Sequence, residues 1–235
     1  MEQTKGKYFN HCVQEYKEGK IAKMGYMSSY AYFHQPIRLA LTAARYKFVS
    51  KMFAGMDKVL ELGCADAFYS VIVAERVKTL VATDYDPVFI NQAKELGRAE
   101  NIELRVLDLA QEPCENTFDG IYALDVFEHI HPKDEDAFMR NVTRALKKPS
   151  AGGGALILGI PSLESQVYAS EGSKAEHVNC KSGEDFKMFC KKYFHQVFVF
   201  SMNDEVVHTG FYPMAHYLFA VCVGVREDDR GSKSN

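Results

Sequence analysis

The feature that most constrains the fold is an alternation of short β-rich runs with helical stretches, which begins at residue 58. Strands that alternate with helices of this length predict βαβ units and a parallel sheet that is buried on both faces. Only fourteen residues (203–216) separate the last two β-rich runs, too few for a crossover helix, so we expect an antiparallel last strand. The predicted strands are 58–62, 79–83, 102–107, 120–124, 155–160, 196–202 and 217–225, and the predicted helices are 67–77, 87–98, 135–147 and 182–193.

The 235 residues suit one α/β domain better than two. We expect a mostly parallel seven-stranded sheet within residues 58–225, preceded by a helical cap over residues 1–57. Residues 161–181 are polar and irregular and predict a long loop. Residues 226–235 are charged and are expected to form a frayed tail.

Composition excludes several classes of protein. The net charge is -3 and no block of Lys and Arg is present, so we expect no nucleic-acid partner. The six cysteines form no C-x-x-C pair, which favours reduced thiols in the cytoplasm over disulfides or structural zinc. Residues 1–20 are too polar for a signal peptide, and the most apolar stretch (214–225) is too short for a membrane span. The sequence therefore predicts a soluble cytoplasmic protein without a membrane partner, and it does not indicate the oligomeric state.

Three successive predicted strands end in residues suited to a nucleoside. The first runs into a turn at Gly63, the second ends at Asp84, twenty-one residues further on, and the third ends at Asp108. Ligands of open α/β sheets lie at the carboxyl ends of the strands, and an acid about 20 residues past the turn is placed to bind ribose hydroxyls. We therefore expect a nucleoside site at this edge of the sheet.

The turn itself discriminates between nucleosides. A dinucleotide needs the pattern G-x-G-x-x-G for close approach of a pyrophosphate, whereas Ala65, Asp66 and Ala67 follow Gly63 here, and an acid repels phosphate. S-adenosylmethionine carries no phosphate, and its sulfonium and ammonium groups are positive. An acid-lined pocket therefore favours it over a dinucleotide. If the alanine positions need a left-handed backbone, each costs roughly 1–2 kcal/mol.

Four segments in this order and spacing resemble class I S-adenosylmethionine-dependent methyltransferases: residues 61–67 (ELGCADA), 83–86 (TDYD), 107–109 (LDL) and 118–125 (FDGIYALD). The resemblance covers about residues 58–160 and implies a Rossmann-like sheet. It also implies that the turn binds the methionine and ribose parts, that Asp84 binds the ribose, that Asp108 and Leu109 bind the adenine, and that Asp125 lies under the sulfonium. The predicted cofactor-binding residues are Tyr30, Glu61, Gly63, Cys64, Ala65, Phe68, Asp84, Tyr85, Asp108, Leu109 and Asp125.

The segment after the fourth strand carries the candidate catalytic groups. Asp125, Glu128 and His129 resemble the acidic-His segment of small-molecule O-methyltransferases, and some RNA 3′-end methyltransferases hold a metal with such a segment and a distant histidine. His177 could be that histidine. We predict Glu128, His129 and His177 as catalytic residues, with Asp125 as a fourth candidate ligand of a divalent metal. The alternative is that Glu128 and His129 cap a helix and contact the substrate.

Polar groups on three other segments are candidates for acceptor binding: the cap, the loop after the fifth strand and the turn before the last strand. The two later segments and residues 176–179 are similar to bacterial methyltransferases of surface-polysaccharide biosynthesis, which suggests a small polar acceptor such as a sugar or a phosphorylated precursor, methylated at oxygen. An amine acceptor, a non-catalytic nucleoside-binding regulator and, less favoured, an RNA methyltransferase remain alternatives. His11, His131, His195 and His216 are expected to be structural or exposed. The predicted substrate-binding residues are His34, Ser162, Glu164, Tyr168, Asn179, His208 and Tyr212.

Overall fold

The computed structural model describes residues 4–109, 111–114, 117–148, 150 and 152–226. Its centre is an eight-stranded sheet in the order β3-β2-β1-β4-β5-β8-β6-β7. The first five strands in chain order pair in parallel, and β8 enters antiparallel between β5 and β6. This confirms the predicted mostly parallel sheet with an antiparallel last strand. The strands are β1 (Lys58–Leu62), β2 (Thr79–Asp84), β3 (Ile102–Val106), β4 (Gly120–Leu124), β5 (Ala155–Pro161), β6 (Phe194–Asn203), β7 (Val206–His208) and β8 (Tyr217–Val225).

The eighth strand is the difference from the predicted seven. β7 pairs antiparallel with the end of β6, with Asn203 opposite Val206, so only two residues form the turn. Asp204 takes a left-handed backbone there (φ 48°), as the first residue of a tight hairpin turn requires. The turn lacks the Asn-Gly or Asp-Gly pair that marks such hairpins, and for that reason the sequence did not predict this strand.

Eight α-helices flank the sheet within the described residues. Three precede β1, which confirms the predicted helical segment before the sheet. The helix after β1 is shorter than the predicted 67–77, because Ala67 has a left-handed backbone (φ 53°) that no α-helix contains. The helices are α1 (Phe9–Lys17), α2 (Tyr26–His34), α3 (Ile37–Met52), α4 (Ser70–Ala74), α5 (Pro87–Leu96), α6 (Glu135–Ala145), α7 (Glu171–Glu176) and α8 (Gly183–Lys191).

The predicted loop over residues 161–181 is partly helical. It contains a 3₁₀ turn (Glu164–Tyr168) and the short helix α7, whose first turn is capped by Ser170 accepting a hydrogen bond from the Ser173 N–H at 3.2 Å. Two more helices have a side-chain cap at their first turn: Asp86 Oδ1 accepts from the Val88 N–H (2.8 Å), and Ser182 Oγ accepts from the Asp185 N–H (3.2 Å). These caps explain where α5 and α8 begin.

The core lies on both faces of the sheet. Along β4, Ile121 and Ala123 belong to the cluster that packs beneath α6 and α8, whereas Tyr122 and Leu124 belong to the cluster on the opposite face. This alternation is the period-2 pattern of a strand that is covered on both sides. The opposite cluster includes Val49 of α3, so the last helix of the N-terminal segment packs directly against the sheet.

None of the helices in the described ranges is long and apolar enough to cross a lipid bilayer. The predicted frayed tail, residues 226–235, lies outside the described residues apart from Arg226.

Candidate active site

The turn after β1 has a backbone that few sequences tolerate. Gly63, Ala65 and Ala67 all have positive φ (73°, 46° and 53°). A Cβ on Gly63 would lie 2.3 Å from Cγ2 of Val126, so only glycine fits that position. The positive φ values show that both alanine positions have a left-handed backbone. Each alanine therefore carries the strain that its Cβ causes in this conformation. The surrounding structure must therefore hold the turn in place.

Asp84, at the end of β2, is one of the groups that hold it. Its Oδ2 accepts from the Ala65 N–H and its Oδ1 from the Asp86 N–H, both at 2.9 Å. Burial raises the pKa of this carboxyl above its ordinary value, although the two N–H donors favour the charged form. A carboxylate oxygen accepts more than one hydrogen bond, so both oxygens keep capacity for ribose hydroxyls.

Asp66 joins the turn to the N-terminal segment. Its Oδ2 accepts from both the N–H and the hydroxyl of Ser28 in α2, each at 2.8 Å. The Arg98 guanidinium donates to the backbone carbonyl of Asp66 from the other side (2.6 Å from Nη2). A Cβ on Gly25 would lie 2.3 Å from Cβ of Asp66, so α2 begins in direct contact with the turn.

Glu61 lies inside the sheet rather than at its surface. Its Oε1 accepts from the hydroxyl of Tyr46 in α3 at 2.6 Å. Burial raises the pKa of Glu61 to about 7, although the neighbouring hydroxyls of Ser70 and Tyr46 favour the ionised form. Glu61 therefore links the cap helix to the floor of the predicted cofactor site.

The other predicted cofactor residues lie around this turn or above it. Cys64 is buried, Phe68 is half-buried and Tyr85 is exposed just beyond Asp84. Asp108 and Leu109 follow β3, and Leu109 is buried. Tyr30 is exposed on α2, where its ring stacks on His34 with 4.4 Å between centroids. The turn after β1 and the carboxyl ends of β2 and β3 thus lie at one edge of the sheet, beside α2, and we call this edge the predicted cofactor edge. The binding role of each residue stays a prediction.

The structure brings Glu128, His129 and His177 together. Glu128 and His129 lie in a 3₁₀ turn after β4, and His177 follows α7 some fifty residues later in the chain. One potential ligand atom from each lies within 4.8 Å of the other two, and the imidazole centroids are 5.2 Å apart. Among the described residues, neither carboxylate oxygen of fully buried Glu128 has a hydrogen-bond partner. Burial, followed by the charge of Asp125, raises the pKa of Glu128 well above its ordinary value.

The hydrogen bonds of the two imidazoles define their tautomers. His129 Nδ1 lies 3.1 Å from the Glu176 backbone carbonyl, and His177 Nδ1 lies 2.9 Å from Gln166 Oε1. The Gln166 amide is oriented by its own Nε2, which donates to the Ser162 carbonyl at 3.2 Å. Since a carbonyl oxygen only accepts, each neutral ring carries its proton on Nδ1 and leaves the Nε2 lone pair free. Burial and the charge of His129 lower the pKa of His177, which favours the neutral ring.

Asp125 does not join that group of three. It has a left-handed backbone (φ 56°), and its Oδ2 accepts from Nη1 of Arg45 in α3 at 2.5 Å. The Arg45 guanidinium also lies over the ring of Tyr217, 3.8 Å from its centroid. Arg45 is not among the residues predicted from the sequence, because it lies on a helix eighty residues from Asp125 and no local motif marks it.

The predicted substrate-binding residues separate into two sets. Tyr168 borders a cavity of about 230 Å³ that is also lined by His177, Arg45 and His216. His216, which was expected to be structural or exposed, is half-buried beside this cavity. Glu164 keeps one buried oxygen without a partner in the described structure.

Three of the other predicted substrate residues use their polar atoms in hydrogen bonds to other residues, and the remaining two pack against neighbouring groups. Ser162 donates to the Ala215 carbonyl (2.6 Å), and Asn179 donates to Glu135 (3.1 Å). Both ring nitrogens of His208 are bonded, to Asn203 and to the Gly210 N–H. Tyr212 packs over the start of α8, where a Cβ on Gly183 would lie 2.5 Å from its ring, and His34 stacks on Tyr30. The structure therefore supplies no free group for an acceptor at Ser162, Asn179 or His208.

Comparison with known proteins agrees with this geometry. Residues 59–149 match a family model described as a methyltransferase domain. The chain is 30% identical over 141 residues to the Escherichia coli O-antigen chain terminator bifunctional methyltransferase/kinase WbdD, a match covering 56% of this chain and 19% of that protein. It is 32% identical over 136 residues to phosphoethanolamine N-methyltransferase 1 of Triticum aestivum, covering 53% of this chain and 26% of that enzyme. The chain thus spans about a quarter or less of the length of these relatives.

A similar solved structure is the N-methyltransferase NodS from Bradyrhizobium japonicum in complex with S-adenosyl-L-homocysteine. The TM-score is 0.57 at 17% identity, and the match covers 78% of this chain and 85% of NodS. The chain has the Rossmann-like α/β fold that this solved methyltransferase shares. Residues 59–149 correspond to a methyltransferase domain, and the structurally similar NodS was solved with S-adenosyl-L-homocysteine bound.

Proposed function

We propose that the protein transfers a methyl group from S-adenosylmethionine to a small polar acceptor, at an oxygen of a sugar or a phosphorylated precursor in surface-polysaccharide biosynthesis. The observation that carries the proposal is the position of Glu128, His129 and His177. They meet directly after β4, beside the predicted cofactor edge, and both imidazoles have a free Nε2. The similarity to WbdD supports the polysaccharide context. We also propose that the N-terminal helices and the sheet act as one domain in the cytoplasm.

In this proposal the cofactor lies along the strand ends. The turn at residues 63–67 holds the methionine and ribose parts, Asp84 accepts from the ribose hydroxyls, and Asp108 with the Leu109 backbone contacts the adenine. The negative charge of Asp125 lies under the sulfonium. Arg45 fixes the carboxylate of Asp125 and offsets part of its charge, because the two groups are hydrogen-bonded at 2.5 Å.

The reaction needs alignment and, for an oxygen acceptor, removal of a proton. Alignment of the acceptor oxygen with the methyl carbon supplies most of the rate gain, and a general base adds a typical factor of about 10²–10⁴. The free Nε2 of His177 is the proposed base, since its pKa is lowered and its Nδ1–H is held by Gln166. The hydrogen bond to Gln166 orients the ring, as the third residue of a catalytic triad orients the general base.

Glu128, His129 and His177 alternatively fit a divalent metal, in which case Nε2 of His177 would be a ligand and not the base. Two imidazole nitrogens and one carboxylate are a recurring ligand set for first-row transition metals, and each ligating histidine ordinarily donates its other N–H to an acceptor, as both do here. The buried Glu128 oxygens lack any other partner in the described part of the chain, which is the independent sign of fit. When bound, such an ion would act as a Lewis acid on an acceptor oxygen.

The proposal is tested by separating cofactor binding from turnover. In a screen of sugars and phosphorylated sugars with labelled S-adenosylmethionine, we expect wild-type turnover on at least one acceptor. His177→Ala and Glu128→Gln should each lose at least about tenfold in kcat and keep their affinity for S-adenosylhomocysteine by calorimetry. Exposed His131→Ala is the matched control and should behave as wild type. Unchanged kcat in both site variants would reject this catalytic assignment, and stabilisation by NAD but not by S-adenosylhomocysteine would reject the cofactor site.

The metal proposal has its own test. Metal content after purification and binding of Mn²⁺, Co²⁺ and Zn²⁺ by calorimetry should show one site per chain that Glu128→Gln weakens. Full turnover after exhaustive chelation would remove the metal from the reaction.

Methylation of nitrogen on a small amine is the second candidate. It is favoured by the similarity to an enzyme named phosphoethanolamine N-methyltransferase and to NodS, named an N-methyltransferase. A neutral amine is already nucleophilic and depends less on a base than a hydroxyl does. A small effect of His177→Ala on kcat with an amine acceptor, and no turnover on hydroxyl acceptors, would favour this second function.

A further inference from the structure

A cavity of about 230 Å³ lies beside the proposed catalytic residues, between α3, the segment after β5 and the start of β8. Its walls include Arg45, Ser165, Gln166, His177, His216 and Tyr217. None of the predicted cofactor-binding residues lines it. Because His177 forms part of its wall, a molecule in this cavity would lie on the acceptor side of the site.

Two residues that line this cavity each carry a buried hydrogen-bond donor without a partner in the described part of the chain. Within the described residues, neither Arg45 Nε nor the Tyr217 hydroxyl makes a hydrogen bond. The Arg45 side chain is only 13% exposed, and the Tyr217 residue is fully buried. A buried donor that lacks an acceptor costs about 1–3 kcal/mol, and Arg45, whose side chain lines the cavity, is the group that a ligand with an acceptor oxygen would satisfy.

The charges around the cavity favour a negative ligand. Arg45 uses Nη1 to bind Asp125, and its planar fork leaves Nε available for a second oxyanion. A cation at the wall of the cavity would attract an anion by charge as well as by hydrogen bonds.

We propose that this cavity is a binding site for an anionic group of the methyl acceptor, a phosphate or a carboxylate, with Arg45 as the principal ligand. This inference rests on the proposed methyltransferase function and narrows its acceptor to an anionic compound. His216 is half-buried and lines the same cavity.

The test uses inorganic phosphate as the probe. The protein is stripped of metal, desalted and saturated with S-adenosylhomocysteine, and phosphate binding is measured by calorimetry at low ionic strength. Wild type should bind, and Arg45→Gln should weaken binding by about tenfold or more, because a hydrogen bond to a charged group is lost. Arg76→Gln removes an exposed arginine that is paired with Glu75 on the surface and should bind as wild type.

Several outcomes would overturn the assignment. They are the absence of phosphate binding in wild type, an Arg45→Gln affinity equal to wild type, and binding that disappears once S-adenosylhomocysteine is present, which would place the anion in the cofactor site. If Arg45→Gln does not fold, Arg45→Lys keeps the charge beside Asp125 but lacks Nε. Equal affinity in that variant would also overturn the assignment. Failure of S-adenosylhomocysteine to bind would instead reject the proposed function itself.

Discussion

Ser28 and Asp66 are joined by two hydrogen bonds, from the Ser28 backbone N–H and from its hydroxyl, both to Asp66 Oδ2 at 2.8 Å. The Ser28 hydroxyl oxygen also accepts from the Gly25 N–H at 2.9 Å. A single buried hydroxyl thus connects the start of α2 with the turn that follows β1. These hydrogen bonds therefore hold the N-terminal segment against the predicted cofactor edge.

Replacing Ser28 by alanine should lower the stability of the protein and weaken the binding of S-adenosylhomocysteine. The change leaves the buried Gly25 N–H without its acceptor and Asp66 with one donor fewer, which costs about 1–3 kcal/mol of unfolding free energy. We expect a lower midpoint in urea and weaker binding of S-adenosylhomocysteine. Ser29→Ala, one residue further along α2, is the control and should change neither quantity. Equal values for the two variants would contradict the coupling.

Asp84→Ala should weaken S-adenosylmethionine binding by at least about tenfold, because charge-assisted hydrogen bonds to the ribose hydroxyls would be lost. Calorimetry measures the affinity, and circular dichroism verifies that the sheet is intact. Asp84→Asn is the informative partner, since an amide oxygen can still accept from the Ala65 N–H. If Asp84→Ala binds as tightly as wild type, Asp84 does not bind the ribose.

Ala65→Gly should stabilise the protein. The left-handed backbone at Ala65 (φ 46°) costs about 1–2 kcal/mol with a Cβ, and glycine removes this strain while adding about 0.5–1 kcal/mol of unfolded-state entropy. The net gain in unfolding free energy is expected to be up to about 1.5 kcal/mol, measured by urea denaturation. Ala40→Gly, on the exposed face of α3, has a helical backbone and should destabilise instead. A loss of stability in both variants would show that position 65 is not strained.

The buried carboxyl of Glu61 predicts a pH dependence of stability. Its pKa in the folded protein is raised to about 7 by burial, above the ordinary value of 4.5. Between those values the unfolded chain has released the proton that the folded protein still holds. The free energy of unfolding therefore falls as pH rises from about 4.5 to 7, by at most about 1.4 kcal/mol per pH unit from this group.

Glu61→Gln should remove this contribution, because glutamine does not titrate and its carbonyl can still accept from Tyr46. Urea denaturation at a series of pH values measures the slope for each protein. Exposed Glu100→Gln is the matched control and should keep the wild-type slope. An unchanged slope in Glu61→Gln would mean that another group accounts for the pH dependence.

The sequence by itself determined the order of seven of the eight strands and the parallel sheet with its antiparallel last strand, and it predicted the residues of the cofactor site. Period-2 and helical patterns are local, and strand-end acids such as Asp84 and Asp108 follow directly from them. The sequence also named Glu128, His129 and His177, which the structure brings together. It missed the two-residue hairpin at Asp204, because the turn lacks the usual glycine.

Only the tertiary structure decided which polar groups remain available for a ligand. Ser162, Asn179 and His208 were predicted to bind the substrate, yet their polar side-chain atoms form hydrogen bonds to other parts of the chain. Arg45 had no local signal, since its partners Asp125 and Tyr217 are brought to it by the packing of α3 against the sheet. Hydrogen-bond satisfaction depends on contacts between residues far apart in the chain, and no pattern within a short segment encodes it.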